Sequence, residues 1–460
     1  MSSVIAPPRA GTGKMVDAPV WRTNAATTPG RLWLAFGATC LGLAILWLVA
    51  AAGIARTRQA IQTIGRDSVP SIVAAQEIRA NMADMDASTA NVFISNGDAV
   101  AIKAQYDRDR LAANDKLIMA AQNITYGDAE RLPILSITDN IETYNGLVKA
   151  ARTKGWPYGI KDLRAASLIM HTQLIPAADT LDQVNFDHLT QSYTAARDAA
   201  AGTQVGLYAA GGLVLAVLVA TQLYLMRRTR RVFNLPIAVA TVLLVGFVAL
   251  LSGSFASQNE QMRIAEQDCF VSVHALWKAR SIAYDANGDE SLYLLGPATA
   301  GQYDQSFHAK AAQLASVPIT DAVVSAADTG QPPTFQGALG DELRNVTFPG
   351  EHDAAVETLR TWGQYLALDA QIRTLETSGH HSAAVALCTG TQPGQSDWAF
   401  SQFDAALGKT LGINQDQFDA TVAHAFAGLR LLPLFTGISI LLMVALTWFG
   451  LAPRLREYQG

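Results

Sequence analysis

Apolar and polar positions alternate along this chain on two scales. On the larger, four uncharged runs stand out: Leu32 to Ala55, Val205 to Met226, Pro236 to Ala256 and Leu431 to Leu451. Each is long enough to cross a hydrocarbon core, which takes about 20 apolar residues. Between them lie two long segments of mixed character, 56–204 and 257–430. On the smaller scale, apolar positions inside those segments recur three and four apart, as in Ile61, Ile64, Ile72, Ala75, Ile78, Met82 and Met85. That period marks a buried helical face, and no stretch shows the two-residue alternation of a strand. The pattern predicts an all-α membrane protein with four transmembrane helices and two extracytoplasmic helical-bundle domains.

The first mixed segment reads as four helices. One leaves the first span and is interrupted at Pro70; a turn at Asn96-Gly97-Asp98 precedes a second that ends near Ile124. A third runs from about Asp128 to Lys154, broken near its start by Pro133, and a fourth starts near Lys161 and enters the second span. Such an up-down arrangement fuses the first and last helices to membrane spans. The second segment repeats this outline. A helix leaves the third span, another covers QYDQSFHAKAAQLA, a long loop fills Pro318 to Gly350, and helical pattern resumes to the last span. Asp86-Ala87, Val92-Phe93-Ile94 and Gln105-Tyr106-Asp107 recur as Asp285-Ala286, Leu292-Tyr293-Leu294 and Gln302-Tyr303-Asp304, an expected internal duplication.

Charge orients this scheme. Arg227, Arg228, Arg230 and Arg231 crowd the loop 227–235 between the second and third spans, and a short basic loop favours the cytoplasmic side. The tails, 1–31 and 452–460, are also net basic, so both termini are expected in the cytoplasm and both mixed segments outside. The N-terminal tail is rich in turn formers and reads as disordered. The apolar run behind it exceeds the ~7 to 15 residues of a signal peptide, which favours an uncleaved span. The formal charge of −5 hides an asymmetry: 56–203 carries 17 acidic and 15 basic residues, 257–428 carries 20 and 8. The acidic second segment argues against nucleic acid as a partner. The basic loop either only orients the spans on anionic lipid or also contacts a cytoplasmic partner.

The search for chemistry excludes more than it finds. No phosphate-cradling glycine loop, nucleophile elbow, metalloprotease signature or Cys/His metal spacing occurs, so neither enzyme nor cofactor nor metal is expected. The spans lack the ionisable groups of a transport pathway. Cys269 and Cys388 share the second segment, where an oxidising compartment would permit a disulfide; the alternative is two buried free thiols. The most unusual stretch is Arg280 to Ser291, where Gly288 in mid-helix costs about 1 kcal/mol. Its Arg280, Tyr284, Asp285, Asn287, Asp289 and Glu290 are candidates for ligand or partner contact, with Arg79, Asp84, Asp86 and Asn91 the weaker counterpart in the first segment. The alternative is a polar seam between helices or solvated surface.

Residues DSVPSIVAAQEIRANMADMDASTANVFIS and QLIPAADTLDQV resemble the four-helix-bundle sensor domain of methyl-accepting chemotaxis receptors, although no cytoplasmic coiled coil follows. The whole layout, with YDANGDESLYLL, QYDQSF and AFSQFDAALG in the second segment, is similar to the GlnX-like four-span proteins of actinobacteria. These are encoded beside a glutamine-type solute-binding lipoprotein and a soluble Ser/Thr kinase. The resemblance implies relaying an external amino-acid signal to a cytoplasmic kinase; the expected setting is the bacterial inner membrane, with a homodimer one option. The competing expectations are an envelope assembly scaffold and an accessory subunit of an amino-acid transporter.

Overall fold

The computed structural model describes residues 27–95, 100–229 and 234–456. The N-terminal tail, the Asn96-Gly97-Asp98 turn, and Arg230 and Arg231 of the basic loop lie outside the described residues, which are 88% helical and hold no strand. Helix α1 (Thr28–Gln62) passes through a π-helical segment, Thr63–Ser68, into α2 (Val69–Ile94). Pro70 was expected to kink or restart the helix, and it occupies the first turn of α2, directly after the π segment, where its missing N–H costs little. Then come α3 (Val100–Gln122), α4 (Asp128–Lys154) and α5 (Ile160–Ile169), which continues through a second π segment, Met170–Leu174, into α6 (Ile175–Thr229).

The later chain is built alike. Helix α7 (Leu235–Arg263), the π segment Ile264–Phe270 and α8 (Val271–Tyr293) form another unbroken run. They are followed by α9 (Pro297–Leu314), α10 (Asp321–Asp328), α11 (Ala338–Arg344), α12 (Glu351–Thr377), α13 (His381–Cys388), α14 (Ser396–Leu429) and α15 (Leu432–Arg456). The stretch Pro318 to Gly350 is therefore not a plain loop. Thr320 caps α10 by accepting from the Val323 N–H, and α11 buries Leu339 and Glu342. The chain bends at Arg430 and Leu431, because Pro433 excludes continuous helix from α14 into the last span.

Among the described residues, four helical runs are long and apolar enough to cross a membrane. Their apolar parts form one compact unit, made of the described residues within 1–56, 199–256 and 429–460. Leu43 and Leu46 of α1, Val214 of α6, Phe247 of α7 and Met443 of α15 meet in its core, while Leu34, Leu41, Val242, Leu441 and Phe449 face outward. An apolar exterior around an apolar core is what lipid requires. A β-carbon at Gly211 would lie 2.8 Å from Val248, so glycine is what lets α6 and α7 approach there.

The mixed segments, 57–198 and 257–428, together form the second compact unit. Two separate domains were expected, and the difference has a physical cause in α2 and α8. Every residue from Met82 to Asn91, and every residue from Asp285 to Tyr293, is buried, so neither helix has a solvent face. They are the central helices of one body, packed against each other. The first half's core joins Ile78 and Met82 of α2, Leu117 of α3, Tyr144 of α4 and Leu174 and Leu181 at the fourth position; the second half's joins Leu276, Phe307, Trp362 and Phe403. Apolar clusters drawn from both halves close the two ends of the α2–α8 contact. One holds Ile64, Leu189, Cys269 and Phe418, the other Phe93, Leu163, Leu292 and Cys388.

That placement settles the cysteines in this structure. Both are free and buried. Cys388 Sγ lies 3.6 Å from the Ser291 hydroxyl. Cys269 sits at the other end of the same helical run, roughly 30 Å away at 1.5 Å per residue, far beyond the reach of a disulfide. Burial pushes the Cys269 thiol up to about 12 and Cys388 well above its ordinary value.

Candidate functional site

Helices α2 and α8 run parallel and in register. Arg79 donates to the Ser281 hydroxyl, the Ser291 hydroxyl donates to Asn91 Oδ1, and these pairs are 202 and 200 residues apart in sequence. Between them Gly288 backs onto Ala87, where an added β-carbon would lie an ordinary 3.5 Å from the Ala87 Cα. The glycine thus faces Ala87 of the neighbouring helix. All ten candidate residues come from this central pair, but they face three ways.

Across the seam itself stand Arg79, Asp86, Asn91 and Asp285. Asp86 accepts from the Tyr144 hydroxyl at 3.2 Å and from Ser167 at 2.8 Å. His171 then spans the two halves: its Nε2 lies 3.3 Å from Asp86 and its Nδ1 3.3 Å from Asp285. Lys310 of α9 holds Asp285 at 3.1 Å and Asp289 at 2.6 Å. Asn91 reaches across to Asp397 of α14 at 3.1 Å, and Arg79 pairs with Asp179 of α6 at 2.5 Å. Toward the second core, Asn287 meets the Tyr365 hydroxyl at 3.5 Å and Glu290 accepts from Ser396 at 2.8 Å. Toward the flanks, Arg280 forks onto Asp404 with two 2.7 Å bonds, and Tyr284 packs edge-on against Phe400. Asp84 accepts from Gln105 of α3. Arg227 and Arg228 are exposed at the end of α6.

Burial controls the protonation of this network. Desolvation lifts Asp84 to about 6 and Asp397 to about 7, against weaker opposing hydrogen bonds from Gln105 and Asn91. Desolvation first and the charge of Asp84 second hold Asp109 far above the carboxylate range. Glu290, wholly buried beside Asp369, is raised in the same way. Burial disfavours a charged His171, yet the Asp86 hydrogen bond and the charges of Asp285 and Asp86 outweigh it and raise its pKa.

Beside His171 and Lys310 opens a polar cavity of about 380 Å³, lined also by Arg164, Asp289, Thr299 and Tyr303. Arg164 donates to Thr299, and its Nε is buried with no partner. His171, Arg164, Lys310 and Asp397 carry much of this site, and none was marked by the sequence. His171 sits in an ordinary-looking helical stretch; the π segment Met170–Leu174 is what sets its ring between the two aspartates.

The halves also share local contacts. Asn123 donates to Ser71 at 2.6 Å and Asn345 to Ser272 at 2.8 Å. Glu130 accepts from the backbone N–H groups of Thr125 and Tyr126, as Glu351 does from Thr347 and Phe348. Arg152 stacks over Tyr106 at 4.5 Å and Arg373 over Phe307 at 4.6 Å. In these contacts Tyr106 takes the place of Phe307 and Ser71 that of Ser272, whereas the repeat expected from the sequence paired Tyr106 with Tyr303 and Asp86 with Asp285.

Residues 60–194 match the family model described as an actinobacterial sensor domain. The first half is thus similar to a bacterial sensor domain. Together with the four apolar helical runs, the match fits a multi-pass, sensor-type membrane protein of bacteria. No curated protein matches the chain. No solved structure does either.

Proposed function

We propose that this chain is a non-enzymatic transmembrane sensor, in which two duplicated halves form an extracytoplasmic sensing body around α2 and α8. The observation that carries the reading is His171, a single titratable ring bridging Asp86 of one half and Asp285 of the other at the edge of a polar cavity. A ligand, or a ligand-loaded binding protein, that withdraws either carboxylate changes how the two central helices are held. Each helix is continuous with an apolar run, α1 to α2 over 67 residues and α7 to α8 over 59, and displacements of ~1–2 Å along such helices are an established signalling motion. Because α2 and α8 pair as two subunits of a symmetric dimer would, one chain supplies both partners of that motion. Output then passes to a cytoplasmic protein such as a Ser/Thr kinase.

Pulsed dipolar spectroscopy on the full chain in nanodiscs tests the reading, with spin labels at exposed Arg228 and Arg456. Breaking the bridge with His171→Ala should shift the distance distribution by about 2 Å or more. An unchanged distribution, with the variant folded, would support a scaffold instead.

A further inference from the structure

Between α3 and α4 the first half carries a basic recess. Lys103, Tyr106 and Arg110 of α3 and Asn145, Lys149 and Arg152 of α4 line a cavity of about 480 Å³. Four of these six are cations, and among the described residues the lining holds no carboxylate. The Tyr106 hydroxyl is tied to Asn145 at 2.6 Å, which fixes the ring on which the Arg152 guanidinium stacks. Arg152 Nε and one of its terminal nitrogens are nevertheless buried with no hydrogen-bond partner. Buried guanidinium donors left unmade are costly, so an arrangement that keeps them is built for an acceptor.

The same chain shows what that acceptor is. In the second half Arg373 makes the equivalent stack on Phe307, and two carboxylates pair with it, Asp369 at 2.8 Å on Nε and Asp304 at 2.6 Å on one terminal nitrogen, while its other terminal nitrogen has no partner. The register that superposes Tyr106 on Phe307 and Arg152 on Arg373 puts Lys103 where Asp304 stands and Val148 where Asp369 stands. Both carboxylates are gone from around Arg152, and one has become a cation. By the same register Arg110 and Lys149 replace Ala311 and Ala370.

We propose that this recess binds a small organic anion with two or three carboxylates, whose groups take the places that Asp304 and Asp369 take around Arg373. Planar carboxylates suit the guanidinium fork, and the volume lies in the range of small-ligand sites. More than one negative charge is needed against four cations, and a zwitterion would set its ammonium among them. Binding here does not depend on whether the α2–α8 seam relays a signal.

The test is calorimetric titration and thermal melting of the purified full chain in detergent, with citrate and succinate as probes and sodium chloride and phosphate at matched ionic strength as controls. Saturable binding of citrate or succinate with a rising Tm is expected. Arg152→Gln should weaken it by about tenfold or more, and exposed Lys149→Ala, which cannot be blamed on folding, several-fold. The double variant Lys103→Asp, Val148→Asp places carboxylates at the positions of Asp304 and Asp369; because Val148 is buried in the first half's core it should melt lower than the parent, and the folded variant should bind neither probe. No carboxylate effect beyond that of chloride, binding of phosphate alone, or citrate binding undiminished in the double variant would each overturn the proposal.

Discussion

Asp397 and Asp84 keep their protons to about pH 7 and about 6 because burial in the central unit outweighs the hydrogen bonds of Asn91 and Gln105 to their charged forms. Both values are raised over the ordinary carboxylate, so their stabilising contribution is full below about pH 4 and is lost as pH rises through 6 and 7. Melting temperature should fall across that window. Asp397→Asn should flatten the slope by an amount on the order of 3 kcal/mol between pH 4 and 8, read from denaturation at both ends. A slope that Asn substitution leaves untouched would mean the carboxyl titrates normally. Gly288 gives a second residue-level test. An alanine β-carbon meets only ordinary contact with Ala87, so Gly288→Ala should be neutral or stabilising by up to ~1 kcal/mol, whereas Gly288→Val should cost ~1–3 kcal/mol. The glycine and the acids around it were legible as unusual. Their burial was not, because a carboxylate in mid-helix looks the same in sequence whether it faces water or a second helix.

At the level of elements, helix period and turn formers located most of the structure: the third helix was expected from about Asp128 to Lys154 and α4 has those bounds. The break expected at Pro133 does not occur, since the proline's missing N–H removes one backbone hydrogen bond and leaves the rest of the helix in place. Where reading failed, the cause is local. Short helices α10 and α11 hide among prolines and glycines, and the three π segments leave no composition signal, though one of them places His171. The turn before α4 depends on Glu130, a buried carboxylate accepting two backbone N–H groups at 2.6 Å. Glu130→Ala should cost ~1–3 kcal/mol by orphaning both, while Glu130→Gln, which keeps an acceptor, should cost less; chemical denaturation of the two variants checks this.

For the whole molecule, the packing of α2 on α8 makes the two mixed segments one body rather than two. A segment spanning 57–198 alone would expose the face of α2 that carries Ala83, Ala87 and Asn91. It is expected to self-associate or to lose hydrogen-exchange protection in α2, and a stable monomer with α2 protected would contradict the single-body reading. This joint burial escaped the sequence because both segments look self-sufficient in length and amphipathic period; only their shared, uniformly buried first helices show otherwise. The proposed role as a relay reaches further, to partners on both sides of a membrane. The measurement that bears on it most directly is cross-linked pull-down of the intact protein from its native membrane, read by mass spectrometry. Recovery of a solute-binding lipoprotein together with a cytoplasmic kinase is the predicted result. Recovery of only cell-wall or secretion components, or of a permease alone, would contradict it.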